Sequence, residues 1–209
     1  MPYWVQDIYD HTRMAAVDCD PELFDSLWRP IWVGSPLTPE ILARLPNPLA
    51  VNPPERGDMP DFVGPGGGAN GWILSEKARR LLVSLEPNIH TFIPVNLQVR
   101  DSDRGWGGYF LLYVGQAIDA IIIDQTQFQG GFGVEGYKKK PSLSLLRPNI
   151  VLNRQKIAGK HLWRGGVGRI GGGGDPFWNK LFCSDELADL FRNNQFYGWL
   201  FDKPCRVID

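Results

Sequence analysis

The stretch Trp72-Ile-Leu-Ser-Glu-Lys-Ala-Arg-Arg-Leu-Leu-Val-Ser-Leu85, closed by Pro87 and followed by Thr91-Phe-Ile-Pro-Val-Asn-Leu-Gln-Val99, reads as a helix and then a strand. In the helical part Ala78, Leu81, Leu82 and Leu85 recur at a spacing that puts them on one face. Ser75 stands just before that face, where its hydroxyl can accept the orphan N–H groups of a first turn, and Pro87 cannot continue the helix. From Thr91 the composition turns to strand formers. Pro94 has no N–H to give a ladder, so it marks a sheet edge or a bulge.

The same order returns near the C-terminus. Leu181-Phe-Cys-Ser-Asp-Glu-Leu-Ala-Asp-Leu-Phe191 reads as a second Ser-capped helix, here behind Ser184, with a strand expected near Tyr197–Phe201. Between the two units, Tyr109–Val114 and Ala117–Asp124 are expected to pair as a hairpin across Gly115-Gln116. Further short strands are expected near Pro148–Asn153 and Ile157–Trp163. Upstream, Tyr3–Tyr9 reads as a strand. Asp20 and Thr38 each precede a proline that can open a short helix, Pro21–Trp28 and one starting at Pro39. Residues 46–71, 125–140 and 165–175 are rich in glycine, proline or both and read as loops. The pattern predicts an α+β fold, mostly antiparallel sheet with two Ser-capped helices and long Gly/Pro-rich loops. A variable N-terminal segment, residues 1–70, is expected to pack on a core formed by residues 71–209.

With 24 glycines and 17 prolines among 209 residues, the chain is loop-rich but short of the composition of a disordered one. Cys19, Cys183 and Cys205 are widely spaced and odd in number, as in a protein of reduced thiols. No basic segment followed by an apolar run opens the chain, and no apolar stretch approaches the ~20 residues that span a bilayer. A cytoplasmic protein with no membrane partner is expected. The net charge of −1 conceals an uneven distribution. Residues 138–180 hold ten Lys or Arg and a single acid, Asp175, whereas residues 1–70 hold ten acids and four arginines.

Several residues invite a catalytic reading and do not sustain it. Gly166-Val-Gly-Arg-Ile-Gly171 matches a dinucleotide fingerprint in letters, but Gly172-Gly-Gly-Asp-Pro176 follows where a helix would have to begin. Asp119 and Asp124, five apart on an expected strand, would point to opposite faces and could not share a proton. Neither Ser75 nor Ser184 lies in a nucleophile elbow, and helix capping accounts for both. His11, His90 and His161 have no ligand spacing, with each other or with a cysteine. The residues therefore predict no catalytic group, no metal and no cofactor. Lys138-Lys-Lys140, Arg147, Arg154, Lys156, Lys160, Arg164 and Arg169, interleaved with Tyr137 and Trp163, offer an alternative: a nucleic-acid-binding module over residues 138–169. The slightly acidic total argues against it. Aromatics in glycine-rich loops are hard to bury and often anchor protein interfaces. Trp106, Phe128, Phe132 and Tyr137, with Glu135 among them, are the expected partner contacts.

The order of pieces from about Gly71 to Asp209 resembles a bacterial immunity-protein family, immunity protein eleven. Those pieces are Leu74-Ser-Glu-Lys-Ala78, Phe92-Ile-Pro-Val95, Tyr109-Phe-Leu-Leu-Tyr113, Ile123-Asp124, Ile157 to Trp163, Leu181-Phe-Cys-Ser-Asp-Glu-Leu187 and Gly198. The glycine runs 64–68 and 171–174 depart from the pattern expected of that family. The resemblance implies a cytoplasmic antidote that occupies or distorts a cognate toxin domain and carries no catalytic residues. The acidic N-terminal third suggests that the toxin surface is basic, since opposite fields speed encounter.

Overall fold

The computed structural model describes residues 1–7, 16–17, 37–44, 49–52, 59–64, 72–98, 105–126, 129–130, 141–142, 149–165 and 180–209. In chain order the first elements are β1 (Tyr3–Asp7), β2 (Ala16–Val17), α1 (Pro39–Arg44), β3 (Leu49–Asn52), β4 (Phe62–Val63) and β5 (Trp72–Ser75). They are followed by α2 (Glu76–Leu85), β6 (Thr91–Gln98), β7 (Gly105–Tyr113), β8 (Ala117–Ile118), β9 (Gln129–Gly130) and β10 (Pro141–Ser142). The last are β11 (Val151–Asn153), α3 (Arg154–Ile157), β12 (Leu162–Gly165), β13 (Leu181–Cys183), α4 (Asp185–Asn193), β14 (Trp199–Pro204) and β15 (Arg206–Ile208). The fold is α+β, with mostly antiparallel sheets. The chain forms two compact units, one of residues 6–115 and 191–200, the other of residues 1–5, 116–190 and 201–209.

The first unit holds a six-stranded sheet in the order β2-β3-β6-β7-β5-β4, in which β3 and β6 are the parallel pair. One face buries Val63, Ile73, Ile93, Val95, Leu97, Leu111 and Tyr113, against which Leu37, Ile41 of α1, Met59, Trp106 and Tyr109 pack. This is the alternation a strand imposes: Ile93, Val95 and Leu97 point one way, Phe92, Pro94 and Asn96 the other. Pro94 sits in a central strand. Pairing with β3 starts only at Val95, however, and a register shift against β7 falls between Val95 and Leu97. The other face carries Phe62, whose ring stacks on Trp199 (3.9 Å between centroids) and meets Phe191 edge-on at 4.9 Å. Pairs of this kind contribute about 0.5–1.5 kcal/mol each beyond the area they bury.

The second unit centres on the five-stranded sheet β14-β1-β13-β12-β8. Trp4, Phe182 and Trp163 stand in register across β1, β13 and β12, and Ala120, Ile150, Leu152 and Cys205 complete their cluster. Burial pushes the Cys205 thiol up to about 12. Cys183 is buried too, so both sulfurs act as small hydrophobes.

Several elements differ from the sequence expectation. β7 and β8 form no hairpin and belong to different sheets. Gln116 instead donates from Nε2 to Leu162 O (2.6 Å) and accepts Arg164 N–H (3.0 Å), committing β8 to a parallel pairing with β12. The strand expected to reach Asp124 stops at Ile118. Thr126 donates both N–H and Oγ–H to Ile122 O (3.0 and 2.9 Å), turning the chain through a 3-10 segment, Ile123–Gln125. The second expected strand begins at Leu162 rather than Ile157. Asn153 Oδ1 accepts Lys156 N–H (3.1 Å) and opens α3 in its place. The Pro21–Trp28 helix and the 165–175 loop beyond Gly165 lie outside the described residues, as do residues 65–71, most of 46–58 and most of 127–140.

Both Ser-capped units are present as strand, serine, helix. Ser75 Oγ accepts Ala78 N–H (3.2 Å) and Ser184 Oγ accepts Leu187 N–H (3.1 Å). Ser75 carries a second duty: its hydroxyl donates to Asp61 Oδ1 (2.7 Å), while Asp61 Oδ2 accepts Tyr197 N–H (3.2 Å). Ser75→Ala removes the cap and one partner of a half-buried carboxylate, so it should cost about 1–2 kcal/mol. Ser75→Thr, which keeps the hydroxyl, should cost less than half of that. Urea titration of both variants checks this; equal losses would show that the hydroxyl is not the cause.

Candidate functional site

Two groupings of polar side chains have the composition of chemistry, and their geometry decides what they can do. The first is at the end of α2. Glu86 Oε2 lies 2.7 Å from His90 Nε2, with both side chains almost wholly buried. The opposite nitrogen, Nδ1, accepts Gly115 N–H at 3.3 Å. An imidazole that accepts at Nδ1 carries its proton on Nε2 and gives it to the carboxylate. Both ring nitrogens are thus engaged by the protein's own groups. The pair fastens the turn after α2 to the end of β7, with no position left for a reacting atom.

The second lies in a cleft of about 210 Å³ lined by Pro2, Ile157, Lys160, His161, Ser184 and Glu186, among others. Ser184 Oγ is 3.2 Å, and Glu186 Oε2 3.7 Å, from the same atom, His161 Nδ1. A nucleophile–base–orienter relay needs the hydroxyl and the carboxylate on opposite ring nitrogens. Here they crowd one nitrogen, and the hydroxyl is already the α4 cap. Neither grouping assembles an acid–base relay. Among the described residues, no cluster of His, Cys, Asp and Glu is placed to hold a metal.

The remaining candidates are only partly among the described residues. Trp106 is half-buried on β7, against the cluster of Ile93, Val95 and Leu97. Phe128, Phe132, Glu135 and Tyr137 lie outside the described residues, as does the Gly166–Gly171 motif. Asp119 and Asp124 are both exposed; Asp119 follows the end of β8 and Asp124 lies in the 3-10 segment. The basic segment is only partly described, and two of its charges are already engaged. Arg154 Nε meets Asp209 Oδ1 at 2.9 Å, and Lys156 Nζ donates to Asp119 O at 2.6 Å. Lys180 lies 5.5 Å from the Trp4 ring centroid, and burial lowers its pKa. The acidic excess of residues 1–70 falls mainly on residues outside those described.

One arrangement was missed in the sequence. Arg79, given no role in the expected helix, lies over the rings of Phe110 (4.9 Å to the centroid) and Phe92 (6.0 Å) on the sheet face opposite the Ile93 cluster. Glu76 holds it there, accepting Arg79 Nη2 at 2.8 Å and Arg80 Nε at 2.8 Å. The available signal was the complete lack of charge in Thr91–Gln98 and Gly105–Tyr113, with an i, i+3 acid–base pair on the neighbouring helix.

No helix among the described residues is long and apolar enough to cross a membrane. A search of curated proteins finds no significant match. A family model does match, over residues 21–204, and it is that of the Immunity protein family (Imm11). The match takes in nearly the whole chain, including much of the N-terminal third that the sequence reading set apart. The chain therefore belongs to the Immunity protein family (Imm11).

Proposed function

We propose that the chain is a non-catalytic antidote that binds a cognate bacterial toxin domain in the cytoplasm and neutralises it by occupying or distorting it. The observation that carries this reading is the family match over residues 21–204. The chemistry of the polar groups supports it. Ser75 and Ser184 are spent on caps, Glu86 and His90 on each other and on Gly115, and Cys205 is kept protonated by burial. So engaged, these described side chains support a reading of action through surface complementarity.

The test is growth. Cells expressing the toxin domain encoded beside this chain should stop growing, and co-expression of the chain should restore them. Continued killing despite soluble expression of the chain overturns the proposal. Turnover of a substrate by the purified chain, lost on a single side-chain change that leaves folding intact, would overturn its non-catalytic part.

A further inference from the structure

The two central strands of the six-stranded sheet, β6 and β7, contain no Asp, Glu, Lys or Arg. On the face opposite the Ile93–Leu111 cluster, Pro94 and Asn96 are exposed, Phe92 and Phe110 are half-buried, and Gly108 offers bare backbone. When one face of an antiparallel pair is solvated, its outward positions ordinarily turn polar. Here Leu112 is fully buried and Arg79 partly covers Phe92 and Phe110, but Pro94 and Asn96 stay exposed in the middle of the sheet, which calls for a different cause. Central-strand exposure is not the fraying of an edge.

Arg79 crowns this row, and its position is already ordered. Glu76 grips the guanidinium, and the Arg79 hydrogen bond is the largest cause bringing the Glu76 carboxyl down to about 2. The anchor is therefore ionised at any physiological pH. The single carboxylate serves both Arg79 and Arg80, and among the described residues no other acid pairs with either. Among the described residues, Arg79, Arg80 and Glu76 together leave one net positive charge above the face.

We infer that this face, Phe92, Pro94, Asn96 and Phe110 beneath the stacked Arg79, is the surface that docks on the toxin, against a patch with an apolar centre and a carboxylate beside it. The inference rests on the toxin-binding reading above. Interfaces concentrate their energy in a few aromatic and arginine side chains surrounded by uncharged contacts. An arginine that is already fixed loses less freedom on association than a mobile one. Charge complementarity selects the partner. A carboxylate can join Arg79 and Arg80, which share one acid, whereas the basic surface suggested by the acidic N-terminal third would meet like charge at this face.

The experiment uses the purified chain and a catalytically silent form of the toxin domain encoded beside it, with affinity read by calorimetry and protection read by growth. Asn96 is exposed, so both of its variants should fold as the parent does, which circular dichroism verifies. Asn96→Glu should weaken binding at least tenfold and abolish protection, while Asn96→Lys should stay within about threefold of the parent. Arg79→Ala should weaken binding by about thirtyfold or more, the loss typical of a hot spot. If the parent binds and all three variants match it, the docking surface is elsewhere; the inference falls and the toxin-binding reading stands. If the Asn96 variants instead convert a dimer of the chain to monomer without touching toxin binding, the face is a self-interface and the inference is likewise overturned. If the parent itself fails to bind or protect, the toxin-binding reading fails and takes the inference with it.

Discussion

Gly198→Ala should destabilise the protein by about 4 kcal/mol. Gly198 has φ +122°, and a Cβ built on it would lie 2.0 Å from Phe62 O, 2.8 Å from Phe62 C and 2.9 Å from Phe62 Cβ. Backbone in that region costs a residue with a side chain ~1–3 kcal/mol. Overpacking against atoms that cannot move aside adds another ~1–3 kcal/mol. The atoms here cannot move cheaply. Phe62 N–H donates to Tyr197 O at 3.0 Å, so the residue beside Gly198 is tied to the residue it would strike. The Phe62 ring is fixed between Trp199 and Phe191, and shifting it loosens the aromatic cluster of that unit. Two other glycines separate the causes. Gly159 shares the left-handed sign (φ +67°) but has open space around it, so Gly159→Ala should cost only about 1 kcal/mol. Gly107 is exposed with nothing within 4 Å, and alanine there should be near neutral. Guanidinium unfolding of the three variants reads the order directly. A Gly198→Ala loss no larger than that of Gly159→Ala would mean that the close approach to Phe62 carries no energy.

These glycines also show what a sequence can and cannot carry. Ser75 and Ser184 were legible because a cap is a local device: residue type, spacing and the helical face that follows all lie within a dozen positions. The strand–serine–helix order was legible for the same reason. Gly115-Gln116, by contrast, has the letters of a hairpin turn, and what prevents one is remote. Gln116 finds its partners at Leu162 and Arg164, some 46 to 48 positions away. The Ile123–Gln125 segment likewise depends on Thr126, whose hydroxyl also accepts Val151 N–H at 3.1 Å. Asp61 was read only as one acid among ten, yet it joins the start of α2 to Tyr197. Propensity has no view of such contacts, and tertiary structure overrides it. The Arg79 face was hidden differently. Each of its residues has an ordinary explanation within its own element, a helix former on α2 or a strand former on β6 and β7. Only the pairing Pro94↔Phe110, with α2 laid across the sheet, turns them into a common surface.

His90→Leu should cost about 3–5 kcal/mol, whereas Glu86→Leu/His90→Leu should cost clearly less than the two single changes together. The single change takes the 2.7 Å partner from a buried carboxylate and the acceptor from Gly115 N–H, and breaking a buried charged pair by removing one member is a costly defect. Removing both members of the pair also removes the charge, so the double variant escapes that part of the penalty. Contacting residues of this kind show coupling of about 0.5–3 kcal/mol. Gly115 adds a second constraint, because a Cβ on it would lie 1.8 Å from Ile89 O. The backbone before His90 and the backbone at Gly115 are therefore in direct contact, and the imidazole bridges the same two segments from the other side. The arrangement also fixes the tautomer. With Gly115 N–H aimed at Nδ1, the ring proton belongs on Nε2, and nitrogen NMR should report that form for His90 in the folded chain. Additive losses in the double variant, or a proton found on Nδ1, would show that the pair does not hold the turn in the way its geometry implies.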